Sequence, residues 1–89
     1  MLKNLLNVLR KTSFISWVTN DDVPIMYNIK IQDNDNFIII KGDVETEFDI
    51  LHNYKIKINK NNLIRFNKNI DSVLTLFCKN YNKELILSY

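Results

Sequence analysis

The chain has 89 residues, enough for one domain and no more. Hydrophobic residues make up 46% and charged residues 25%, the balance of a folded chain rather than a disordered one. One Cys, one His and one Gly exclude a disulfide framework, a histidine-rich metal cluster and a glycine-rich phosphate loop, and a formal charge of +2 does not by itself imply a polyanion partner.

Leu2, Leu5, Leu6 and Leu9 recur at i, i+3, i+4 and i+7, which predicts a short amphipathic helix over residues 1–12 lying on the core. Its apolar face lacks Trp and Phe and spans barely three turns, so little membrane affinity is expected. The same segment is too short and too polar for a signal-peptide core, and no run approaches the roughly 18 apolar residues of a membrane span. A single Cys suits a reducing compartment, and the expectation is an intracellular, cytoplasmic protein.

From residue 13 the period changes to two, so residues 13–89 read as antiparallel β structure in the same single domain. Residues 13–19 form a first strand and stop at Asn20, Asp21 and Asp22. Residues 23–32 follow, with Ile25, Tyr27, Ile29 and Ile31 on one face. Asp33, Asn34, Asp35 and Asn36 make a turn, and residues 37–40 reopen a strand buried on both faces. Gly42 marks a bulge or bend. Alternation resumes over 43–50 and 54–58, and Asn59, Lys60, Asn61 and Asn62 turn the chain into 63–66. Residues 72–78 and 84–89 are the last apolar runs, although Ile70, Val73, Leu74 and Phe77 also fit a helix over 70–79.

The predicted fold is mainly β: a short N-terminal helix plus six to seven antiparallel strands in a small curled sheet or OB-like barrel. Curling is expected because an open flat sheet of this size presents unpaired edges. The expected core is Ile25, Tyr27, Ile29, Ile38, Ile40, Ile56, Ile58 and Ile64, with Leu5 or Leu9 packed on it.

Catalytic signals are weak. His52 has no carboxylate at a recognised spacing and reads as a surface histidine, and Cys78 reads as a small core residue. Asp33 and Asp35 lack the Gly and Glu that a calcium loop requires at its sixth and twelfth positions. No metal, cofactor or enzymatic activity is expected.

Charge layout is more informative. Residues 20–50 hold eight acids and two lysines, whereas residues 51–83 hold seven basic residues and one acid, Asp71. Lys55, Lys57, Lys60, Arg65 and Lys68, with Tyr54, Phe66 and Tyr81 nearby, form a candidate basic hairpin for single-stranded nucleic acid. Such a ligand needs cations for phosphates and rings for bases. Tyr54 and Phe66 also share the phase of Ile56, Ile58 and Ile64, which argues for the core. The rival site is acidic. Asp43, Glu45, Glu47 and Asp49 alternate with Val44, Thr46, Phe48 and Ile50, so a strand sets the four acids on one face and the others inside. That ladder, with carboxylates roughly 6.6–7 Å apart, could mimic a phosphate backbone and occupy a basic protein partner, as a stoichiometric inhibitor from a mobile element would.

Phe14–Asn20 (Phe-Ile-Ser-Trp-Val-Thr-Asn), Asn36–Phe48 and Tyr54–Asn67 in this order resemble OB-fold domains of the replication-protein type. The resemblance covers residues 14–68 and implies a five-stranded barrel binding oligonucleotides on one face. The chain departs from that pattern in its acidic first hairpin turn, and residues 49–53 leave almost no room for the family's helix between the third and fourth strands.

Overall fold

A computed structural model describes residues 2–67, 72–79 and 81–89. Helix α1 (Leu2–Lys11) buries Leu5, Leu6 and Leu9 in the core, as the leucine spacing predicts. Thr12 ends it, donating its hydroxyl to Val8 O at 2.9 Å and its N–H to Leu9 O at 3.1 Å. Arg10 and Lys11 in the last turn complement the helix dipole.

Seven strands follow: β1 (Phe14–Ser16), β2 (Ile25–Asp33), β3 (Phe37–Glu45), β4 (Ile50–Asn59), β5 (Leu63–Asn67), β6 (Val73–Cys78) and β7 (Lys83–Ser88). Every pairing is antiparallel, in one sheet of order β4-β3-β2-β1-β7-β6-β5. Residues 73–78 are therefore strand, which settles that part of the 70–79 ambiguity; Ile70 and Asp71 lie outside the described residues.

The two outermost strands are consecutive in sequence, and this forces the curl. A flat sheet would hold β4 and β5 roughly 29 Å apart, at about 4.8 Å per strand. Only the 3-10 turn Lys60–Asn62 joins them, and four Cα steps reach about 14 Å at most. The sheet therefore rolls into a half-barrel with its edges drawn together. Its concave side holds Ile15, Met26, Ile38, Ile40, Val44, Ile56, Ile58, Leu76 and Leu87, closed over by α1. Cys78 belongs to this core, and burial pushes its thiol up to about 11. Among the described residues no helix is long and apolar enough to cross a membrane.

Two bulges set the phase of the sheet. Tyr27 pairs with Asp43 but Lys30 with Lys41, so β2 carries one extra residue opposite β3. Gly42 pairs with Tyr54 but Val44 with Leu51, so β4 carries another at the same level. Asn28 (φ 55°) and Asn53 (φ 56°) absorb them in the left-handed region, which Asn tolerates better than most residues. Gly42 is thus flanked by bulges in its neighbours rather than forming one. A Cβ on it would stand 2.7 Å from Tyr27 O and 3.1 Å from Met26 Cγ, so only glycine lets β2 approach this closely.

The β2 bulge corrects the expected core. Ile29 and Ile31 turn inward, but on the other side of Asn28 the phase reverses: Met26 is buried, Tyr27 half-buried and Ile25 exposed. In β5, Leu63 packs on the core and Ile64 is exposed. The 43–50 segment is not one strand. Strand β3 ends at Glu45, and Thr46 nucleates a turn, its hydroxyl oxygen accepting from Phe48 N–H and Asp49 N–H while its own N–H donates to Asp49 O. Phe48 consequently points to solvent, 82% exposed, rather than inward.

Candidate nucleic-acid interface

Strands β2, β3 and β4 turn one face outward, opposite the core. Cross-strand partners share a face, so the pairings Lys30↔Lys41 and Lys41↔Lys55 place three exposed lysines in a row across three adjacent strands. The row spans about 10 Å at the usual strand spacing. Among the described residues none of the three has an acidic partner within ion-pair distance. Like charges set directly opposite are destabilising, so the fold keeps this row against its own stability.

One step towards the β2–β3 turn on the same face stand Gln32, Ile39 and Lys57, with Phe37 beyond. The Lys57 ammonium lies 4.2 Å from the centre of the Phe37 ring, a cation–π contact on a half-buried ring. On the other side of the row lies the double bulge. Asn28, Lys30, Lys41, Gly42, Asp43 and Asn53 line an open hollow of about 370 Å³ there.

Asp43 pins the two bulges together. Its carboxylate accepts from Asn28 Nδ2 at 3.0 Å and Asn53 N–H at 3.4 Å, and His52 Nδ1 lies 3.3 Å from it. The Asn28 bond is the main cause holding its carboxyl below the usual value of 3.8, helped by His52 and Asn53 and opposed by desolvation. Among the described residues no cluster of three or more His, Cys, Asp or Glu side chains could hold a metal ion.

The expected basic site is only partly assembled. Lys55 and Lys57 are exposed on the outer face of β4, with Ile56 and Ile58 buried between them, in the expected phase. Lys60 is withdrawn: it pairs with Asp33 at 2.7 Å and its side chain is 18% exposed. The side chain of Arg65, that of Phe66 and the whole of Lys68 lie outside the described residues. Lys30 and Lys41, counted with the acidic half of the sequence, complete the row instead; the signal for them is the strand register, not local composition.

The rings are redistributed too. Tyr54 and Tyr81, with Trp17, Ile56, Lys83 and Leu85, line a narrow apolar cleft at the seam of the half-barrel. The Tyr81 hydroxyl accepts from Lys57 N–H at 2.9 Å and donates to Lys57 O at 3.0 Å, closing part of the free edge of β4. Lys83 Nζ sits 5.6 Å from the Trp17 ring centre. Phe37 and Tyr27, not Tyr54 and Tyr81, share the face of the lysines.

The acidic ladder is interrupted. Asp43 and Glu45 lie on the outer face of β3, while Glu47 and Asp49 sit in the turn; Asp43 is committed to the bulges and Asp49 Oδ1 accepts from Ile50 N–H at 2.7 Å. The chain matches no protein-family model, no curated protein and no solved structure.

Proposed function

We propose that the protein is a non-enzymatic module that binds single-stranded nucleic acid on the outer face of β2–β4. The observation that carries this reading is the row Lys30–Lys41–Lys55, none of which has an ion-pair partner among the described residues, extended by Lys57. Phosphates supply counter-charge to these lysines, and the half-buried Tyr27 lies on the same surface within reach of an unstacked base, whereas the Phe37 ring is already capped by Lys57. The curled antiparallel sheet is consistent with the resemblance of residues 14–68 to OB-fold domains, although it holds seven strands rather than the five which that resemblance implies.

Titration of a fluorescent oligo(dT) or oligo(U) at several salt concentrations tests the reading. Four lysine–phosphate contacts give a log–log salt slope of about −3, or roughly 50-fold weaker binding between 50 and 200 mM salt. The triple variant Lys30→Glu, Lys41→Glu, Lys55→Glu is expected to remain folded and lose binding. Wild-type protein with no detectable binding at low salt overturns the proposal.

A further inference from the structure

The end of the half-barrel where β2 begins and β4 begins carries a second surface of opposite character. Two loops meet there, because Asp22 Oδ2 accepts from Glu47 N–H at 2.7 Å and its Oδ1 accepts from Val23 N–H at 2.8 Å. Thr19 braces the first loop through its N–H and hydroxyl, both donated to Asp22 O. The joined loops display large apolar side chains to solvent: Phe48, Val18 at 71% and Val23 at 53%. The outer-face row Ile25↔Glu45↔Ile50 continues this surface onto the sheet, with both isoleucines exposed. Scattered single exposures are ordinary, but five at one end, on loops tied together by a buttressing carboxylate, make a patch.

The two loop segments carry acidic charge alone, with Lys83 bordering them 5.6 Å from the Trp17 ring. Residues 17–25 and 45–51 contain Asp21, Asp22, Glu45, Glu47 and Asp49 and no Lys or Arg. Among the described residues none of these acids forms an ion pair. A nucleic acid or a membrane rich in anionic lipids is repelled by these carboxylates. An apolar centre flanked by Asp21, Glu45 and Glu47, which among the described residues form no ion pair, matches a polypeptide that presents an apolar side chain between lysines or arginines.

We infer that this end is a docking site for a basic, amphipathic segment of a partner protein, with Phe48, Val23 and Ile50 as the apolar anchors and Glu45, Glu47 and Asp21 steering the approach. The inference does not rest on the nucleic-acid reading, since it uses the opposite end of the β2–β4 face with its loops, and the opposite charge. It places the two ligands apart, the anion on the lysine row and the basic polypeptide on the loop end.

The probe is a synthetic helical peptide of alternating Leu and Lys pairs, titrated into isotopically labelled protein and followed by amide chemical shifts, beside a control peptide with every Lys replaced by Glu. Shifts confined to residues 18–25 and 45–51, saturating for the Lys peptide alone, are expected. Two variants on exposed positions separate the contributions: Phe48→Ser with Ile50→Thr, and Glu45→Lys with Glu47→Lys. Each is expected to keep a dispersed spectrum and to weaken binding at least tenfold. Undiminished binding to the first variant reduces the effect to charge alone and overturns the site. Equal binding of the Glu peptide, no binding of the Lys peptide, or shifts centred on Lys30 and Lys41 also overturn it. So does concentration-dependent self-association that Phe48→Ser abolishes, which assigns the patch to a second copy of the chain.

Discussion

Replacing Lys41 by Glu is expected to stabilise the fold and weaken oligonucleotide binding at the same time. Lys41 sits between Lys30 and Lys55, directly opposite each. The substitution turns two repulsive cross-strand neighbours into attractive ones, at a few tenths to about 1 kcal/mol per pair. Asp43, on the same face and two residues along at about 7 Å, repels the new carboxylate and removes part of the gain. A net stabilisation of about 1 kcal/mol remains, which raises the melting temperature of a domain this size by about 4–8 °C. Thermal melts followed by circular dichroism at 20 mM salt measure it, with fluorescence anisotropy on the same samples for binding. The stability gain is expected to fade at 1 M salt, where screening acts over about 3 Å. A melting temperature that falls, or binding that survives unchanged, refutes the reasoning that the row is held for an external anion.

Gly42→Ala forces a methyl group against Tyr27 O, a backbone atom that cannot swing aside, and is expected to cost about 1–3 kcal/mol in urea denaturation, with Met26 shifted from its place in the core. The Asp43 carboxyl titrates below 3.8 in the folded chain, so its contribution to stability is fully present above that value and disappears as pH falls through the folded-state value. Asp43→Asn is therefore expected to be less stable at neutral pH and to lose less on acidification, seen as a flatter acid limb in melting temperature against pH.

Much of the architecture is written in local pattern. The leucine spacing of α1, the turn after Asp33 and the alternation of Lys55, Ile56, Lys57 and Ile58 all read through directly, because each depends on residues a few positions apart. What alternation cannot register is a residue that does not count. Asn28 and Asn53 each insert one, and every side chain beyond them changes face, which is why Met26 rather than Ile25 enters the core. The 46–49 turn is concealed in the opposite way: Val44, Thr46, Phe48 and Ile50 keep the period of a strand while the Thr46 hydroxyl folds the backbone. The lysine row is illegible for a third reason. Lys30, Lys41 and Lys55 are neighbours only through the register of three strands, and composition by segment assigns two of them to the acidic half.

Strand β1 is three residues long, yet its ladders supply the sheet pairing between two meanders, β2-β3-β4 and β5-β6-β7. Within each meander the strands pair with their immediate successors, so those contacts form between residues close in sequence. The pairing of β1 with β7 brings Ser16 to Ile86, closing a loop of some seventy residues. The entropy of that closure falls on one short ladder, with Ile15 opposite Leu87 at its centre. Folding is therefore expected to be slowest at this closure: each meander assembles from local pairings, and the β1 ladders, together with the Tyr81–Lys57 bonds across the seam, bring the two into one half-barrel.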